Sequence, residues 1–143
     1  MDTKKMTNNY LEALRCMEKA RDILKNKARE EDGLYQSKRY VREACALAYL
    51  AALLAAETYL VGKGRPIPKR RDKRSNIHDY KHELAGVDEE MLTYLDAAWS
   101  YLHCGGYHEG VVVANGIRAG MECADFLINA IRPATEEARV ATV

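Results

Sequence analysis

A chain of 143 residues, 48% hydrophobic and 30% charged, has enough apolar content to bury one core without disulfides or a structural metal. Its net charge of only +1 says nothing about partners, so any electrostatic function must be read from the distribution of charge along the chain. The four cysteines, Cys16, Cys45, Cys104 and Cys123, show no paired spacing and lie in apolar patterns, which points to reduced thiols in a cytoplasmic protein.

The first helix is expected to start near Thr3 or Thr7, where a hydroxyl can cap, and to run to about Lys27. Tyr10, Leu14, Met17, Ala20 and Leu24 recur at helical spacing and form its buried face, opposite Glu12, Arg15, Lys19 and Asp22. The stretch from Ala28 to Gly33 breaks the pattern, with Gly33 as a turn residue.

Residues 35 to 61 predict a second helix that is polar at first and then apolar all round, as a helix covered on most sides should be. Its unbroken apolar run, Ala44 to Ala56, is too short to cross a bilayer, and no membrane partner is expected. Ala44, Ala48, Ala52 and Ala55 make a stripe of small side chains. Gly116, Gly120 and Ala124 make a second one, and the two stripes predict close packing of the second helix on the fourth. Glu43 and Glu57 close the two ends of the apolar run.

Gly62, Gly64, Pro66 and Pro68 stop that helix. A crossover over residues 62 to 87 follows, holding a short helix over 77 to 84 capped by Ser75 or Asn76 and stopped by Gly86. Asp88 then opens a third long helix that Gly105 and Gly106 close, and a fourth runs from about His108 to Ile131. Residues 133 to 143 read as a flexible tail behind a single domain of residues 1 to 132. The expected fold is therefore all-α: an up-and-down four-helix bundle made of two helical hairpins, joined by one long basic crossover that contains a short helix.

Several candidate sites can be weighed against plainer structural roles. None of the four histidines has a Glu three residues before it, which argues against a di-iron carboxylate bundle. His103, Cys104 and His108 bracket the Gly105–Gly106 pair and offer zinc-type ligands, but irregular spacing favours a tight helix-to-helix turn. Glu43 and Glu57, with Arg118 and Glu122 in line with Asn115, Asp125 and Asn129, could define a polar pocket inside the bundle, but a solvated, salt-bridged helix face is the plainer reading. No cofactor or metal is implied.

The charge, by contrast, is concentrated. Residues 63 to 82 carry eight Lys or Arg against Asp72 and Asp79, a net of +6, while residues 83 to 143 sum to −7. Lys69, Arg70, Arg71, Lys73 and Arg74 are the candidate nucleic-acid or nucleotide contacts; self-neutralisation on the acidic half is the plainer alternative.

Arg71, six intervening residues, then His78-Asp79-Tyr80, together with the Ala-rich second helix, resembles the HEPN superfamily of helical bundles. That resemblance implies a homodimer and, in active members, metal-independent cleavage of RNA. His78 would then be the acid or base, Arg71 or Arg74 the phosphate stabiliser and Tyr80 the positioner. It equally implies a non-catalytic binding module of the same shape, for RNA, a nucleotide or a protein partner. A purely structural interaction bundle is the third possibility.

Overall fold

The computed structural model describes residues 2–68 and 76–133. Helices account for 78% of it, so the protein is all-α. Helix α1, Thr3–Ile23, is capped by Asp2, whose carboxylate accepts from the Lys5 N–H at 2.8 Å, rather than by a threonine. It runs on into a short π-helical turn, Leu24–Ala28, before the backbone turns at Arg29. Tyr10, Ala13, Met17 and Ala20 are its buried face, largely the one that the sequence periodicity marks.

One element departs from the all-helical expectation. Glu30–Glu31 (β1) and Leu34–Tyr35 (β2) form a minimal antiparallel hairpin about Asp32-Gly33, both with positive φ. An Asp-Gly pair with two left-handed residues is the preferred two-residue hairpin turn, because its twist matches that of the strands. The hairpin links the two halves of the chain: the Tyr35 N–H donates to the Val112 carbonyl and the Ala114 N–H to the Gly33 carbonyl, each at 2.9 Å. The second of these satisfies a first-turn N–H of the last helix, whose N-cap, Val113, has no side chain that could do so.

Helix α2, Lys38–Gly62, is the centre of the molecule and touches every other long helical segment. By length and apolarity alone it would pass for a membrane span, but its face of Ala44, Ala48, Ala52, Ala55 and Leu60 is fully buried in the core. Its buried Thr58 donates to the Leu54 carbonyl at 2.7 Å and accepts from Asn9 of α1 at 3.1 Å, so a buried hydroxyl is satisfied on both counts.

Helix α3, Ile77–Ala85, lies where expected, and of the two candidate caps it uses Asn76. Helix α4, Glu89–Ala98, is capped by Asp88 and passes without a break into a second π-helical segment, Trp99–Glu109. Here the tight turn expected at Gly105–Gly106 is overturned, because both glycines are inside that segment. The chain leaves the helix only at Gly110, which is left-handed at φ 66°. The last helix, α5, is Ala114–Asn129, so its start lies six residues beyond the expected one.

The glycine stripe also has a different partner from the expected one. Helix α5 does pack on α2, but a Cβ on Gly120 would fall 2.7 Å from Leu102 and 2.8 Å from Tyr101, both on the second π segment. The glycine that lets a neighbour approach α2 is Gly106, whose Cβ would lie 2.2 Å from the Cys45 sulfur. The tail of residues 134 to 143 lies outside the described residues.

Candidate functional site

The site grows from the exit of the crossover. Asn76 and Asp79 form a reciprocal capping box, the Asn76 side chain accepting from the Asp79 N–H at 3.2 Å and the Asp79 carboxylate from the Asn76 N–H at 3.1 Å. This starts α3 at Ile77, three residues after Arg74, the last of the basic run. Helical spacing then separates the two residues that the sequence motif groups together. His78 is exposed, whereas Tyr80, two residues on, is 8% exposed and packs in the core with Leu84. Burial pushes the Tyr80 phenol up to about 12, with Glu57 and Asp79 adding to it.

Structure therefore does not bring His78 and Tyr80 side by side. Lys69, Arg70, Arg71, Lys73 and Arg74 lie outside the described residues, so their relation to His78 does too. The entrance of the crossover is held as firmly as its exit. Arg65 pairs with Glu83 of α3 at 3.0 Å, its N–H donates to the Leu60 carbonyl at 2.8 Å, and Ile67 packs against the core.

Beside α3 lies a set of rings that the sequence reading passes over. Trp99, His103 and Tyr107 recur every four residues along the second π segment, and its wide turn stacks them one above the next. Their planes are nearly parallel: Trp99 and His103 are 6.4 Å apart at 18°, His103 and Tyr107 5.7 Å apart at 19°. Tyr49 of α2 closes on His103 at 4.8 Å and His108 meets it edge-on at 4.8 Å. Lys81 of α3 sits 5.8 Å over the Trp99 ring and 2.7 Å from the Asp96 carboxylate, which joins α3 to this face. Ala46, Tyr49, Leu50, His103 and Tyr107 line a pocket of about 290 Å³, and Leu50 and Tyr107 stand 57% and 43% exposed at its rim.

Apart from the Lys81–Asp96 pair at its edge, the face is made of groups that favour their neutral forms. Burial lowers the His103 pKa, and His108 lowers it further. Burial raises the Tyr49 phenol and the Cys104 thiol, and pushes the Cys45 thiol up to about 12, so these thiols stay protonated and unreactive near neutral pH. Among the described residues no group of three or more His, Cys, Asp or Glu could hold a metal ion.

The depressed imidazole makes stability depend on pH. His103 favours its neutral form in the fold, so its contribution is complete above the ordinary imidazole value of about 6.5 and is lost as the pH falls through the lower folded pKa. Thermal melts from about pH 7.5 down to about pH 5 should therefore show a falling midpoint. The fall should be smaller in His103→Phe, which keeps a ring among Tyr49, Trp99, Tyr107 and His108. Equal slopes in the two proteins would remove the imidazole as the cause.

A second, more polar cleft of about 620 Å³ lies between the end of α1, the hairpin and α5. Leu24, Ile117 and Met121 floor it. Two ion pairs cross it, Arg21 with Asp125 and Arg118 with Glu30 at 3.2 Å, while Arg118 also donates to Asn115 at 2.9 Å. Arg118 and Asp125 of α5 are thus paired across elements instead of along one helix, and Arg118 does not bond Glu122 as an i, i+4 partner would. All four paired groups are 41% to 56% exposed, which limits what each pair contributes to stability.

The family model for a domain of unknown function, DUF5618, matches residues 8–133. A solved structure described as a protein of unknown function from Dyadobacter fermentans is similar, with 28% sequence identity and a TM-score of 0.75 over 88% of this chain and 94% of that one. No curated protein matches the chain.

Proposed function

We propose, for a chain that belongs to the DUF5618 family of domains of unknown function, a non-catalytic binding module that holds single-stranded nucleic acid or a nucleotide by its phosphates. In this reading it is a HEPN-like up-and-down four-helix bundle, cytoplasmic and homodimeric, and Lys69, Arg70, Arg71, Lys73 and Arg74 are the contacts. The observation that carries the reading is the anchoring of the crossover. The chain enters it from Arg65, tied to Glu83, and leaves it at the Asn76 capping box of a helix docked by Tyr80 and Leu84. Five cations and one acid therefore fall within seven residues, 69 to 75, between two fixed points. Cations so close together in sequence release condensed counterions together when they bind a phosphate backbone.

Metal-independent RNA cleavage is the second reading, favoured by the exposure of His78, four residues after Arg74. An exposed imidazole is the kind of group that proton transfer to or from a substrate hydroxyl needs. Against it stands Tyr80, whose ring is in the core and not beside His78.

Both readings meet in one experiment. Affinity for a single-stranded RNA, followed by fluorescence anisotropy, should fall ~100-fold between about 50 and about 200 mM salt if five phosphates are contacted. Reversing Arg70 and Arg71 to Glu should reduce the salt slope by at least about 1.4, the share of two contacts. A salt-independent affinity, or none at low salt, removes the phosphate-binding reading. Cleavage of the same RNA that disappears in His78→Ala would replace it with the nuclease.

A further inference from the structure

We infer that the outer face of the small sheet at Asp32-Gly33 is a homodimer interface, in which the exposed strip of Leu34, Val111 and Val113 packs on the same strip of a second copy about a two-fold axis lying across it. The inference gives the homodimer of the reading above its surface, and it is independent of the phosphate contacts.

The strip follows from strand geometry. A bridge between Leu34 and Val113 adds residues 111 to 113 to the hairpin as a third extended segment. Side chains alternate along a strand, and directly opposed residues share a face. Tyr35 and Val112 accordingly pack against the core, while Leu34, Val111 and Val113 are left on the outside, 37% to 47% exposed. Tyr101, also exposed, lies beside Gly116, three residues on from Val113, and extends the strip. Among the described residues six large apolar side chains are exposed, and these are four of them. Single exposed apolar residues are ordinary, whereas four gathered on one face mark an interaction surface.

Charge selects the occupant. One end of the strip is acidic: Glu31 stands opposite Leu34, and Asp32 follows it at the hairpin tip. Glu30, on the other face, is already held by Arg118. The other end is basic. Lys38 lies along Gly110, where a Cβ would come within 2.7 Å of its stem, and Arg42 donates to the His108 carbonyl at 3.5 Å. Glu109 offsets one of these two cations. Among the described residues Glu31, Asp32 and Lys38 have no ion-pair partner.

A two-fold axis across the strip reverses its direction in the partner, so that the acidic end of each copy faces the basic end of the other. An axis along the strip would set acid against acid. An apolar centre with opposite charges at its two ends is thus complementary to itself, as an interface between identical chains has to be. Four side chains make a small interface, so the dimer forms and dissociates with concentration.

Sedimentation velocity of the full-length protein without nucleic acid, from ~1 to ~100 μM at low salt, tests this. The parent should pass from monomer to dimer across that range. Val113→Asp should raise the dissociation constant at least about tenfold, because it buries a carboxylate without a partner. The fold should survive it, since Val113 is the N-cap of α5 and Asp is a favoured residue there; an undiminished thermal midpoint checks this. Glu31→Lys should weaken the dimer, and combining it with Lys38→Glu should restore it, because the swap leaves opposite charges facing each other. Leu50→Asp, on the ring-lined face, should leave the dimer unchanged.

A parent that stays monomeric throughout overturns the interface and leaves the phosphate contacts to be judged by their salt slope. A dimer that persists in Val113→Asp, or that Leu50→Asp dissociates, belongs to another surface and overturns it equally. Failure of the charge swap to restore the dimer overturns the two-fold arrangement.

Discussion

Gly106→Ala is expected to destabilise the protein by about 2 kcal/mol, although alanine is the better helix former by about 1 kcal/mol. The added Cβ would stand 2.2 Å from the sulfur and 2.8 Å from the Cβ of Cys45, which is fully buried on the central helix. The sulfur could swing about χ1, but the Cβ at 2.8 Å is fixed to the α2 backbone, so relief requires the second π segment to move off α2. Overpacking of that kind costs about 3 kcal/mol where the backbone must yield, and it outweighs the gain in propensity. Removing the sulfur should recover part of the loss: in a Cys45→Ala background the cost of Gly106→Ala should shrink by about 1 kcal/mol or more, a coupling that distant sites do not show. Urea denaturation midpoints of the four proteins measure this directly. Strict additivity would mean that the two residues are not in contact.

Tyr80→Ala should cost about 3–4 kcal/mol, as the loss of a buried aromatic ring does, whereas Tyr80→Phe should stay within about 1 kcal/mol of the parent. The ring is what docks α3, since only Tyr80 and Leu84 of that helix are buried. Undocking α3 releases the exit of the crossover, so RNA affinity should fall with Tyr80→Ala and be retained in Tyr80→Phe. A phenol that positioned a phosphate would give the reverse for the second variant, a loss of activity with stability unchanged. Burial also makes the phenol a source of pH dependence. Its folded pKa, up to about 12, lies above the ordinary value of about 10, so its contribution is present below that value and is lost as the pH rises through the folded one. An alkaline melt series that is the same for the parent protein and for Tyr80→Phe would contradict it.

What the sequence made legible follows the range of the forces involved. Helix faces and stops are set by residues three or four positions apart, and the faces of α1 and α2, the Asn76 cap and the break after Gly62 were readable for that reason. The hairpin at Asp32-Gly33 was equally local, and its turn signal was present between Glu31 and Leu34; strands of two residues are too short to show an alternating pattern. At Gly105–Gly106 a local reading failed outright. Two adjacent glycines are a common stop signal, yet here the helix continues through both, and at Gly106 the residue type answers a packing need, since the Cys45 side chain occupies the space where a Cβ would be.

The candidate site divides along the same line. The charge run from Lys69 to Arg74 and the His-x-Tyr order that follows it are properties of composition and order, and the sequence by itself determines them, whereas the exposure of His78 is read from the structure. Trp99, His103 and Tyr107 were visible as letters four apart, but in an ordinary helix that spacing is more often a core face. Only the tertiary structure decided that their helix is π-wound, that Tyr49 comes across from α2 to close on them, and that Tyr80 turns away from His78 into the core. The physical reason is common to all three. Which face of a helix is buried depends on what packs against it, and those partners are brought together by contacts between residues tens of positions apart, which no local spacing encodes.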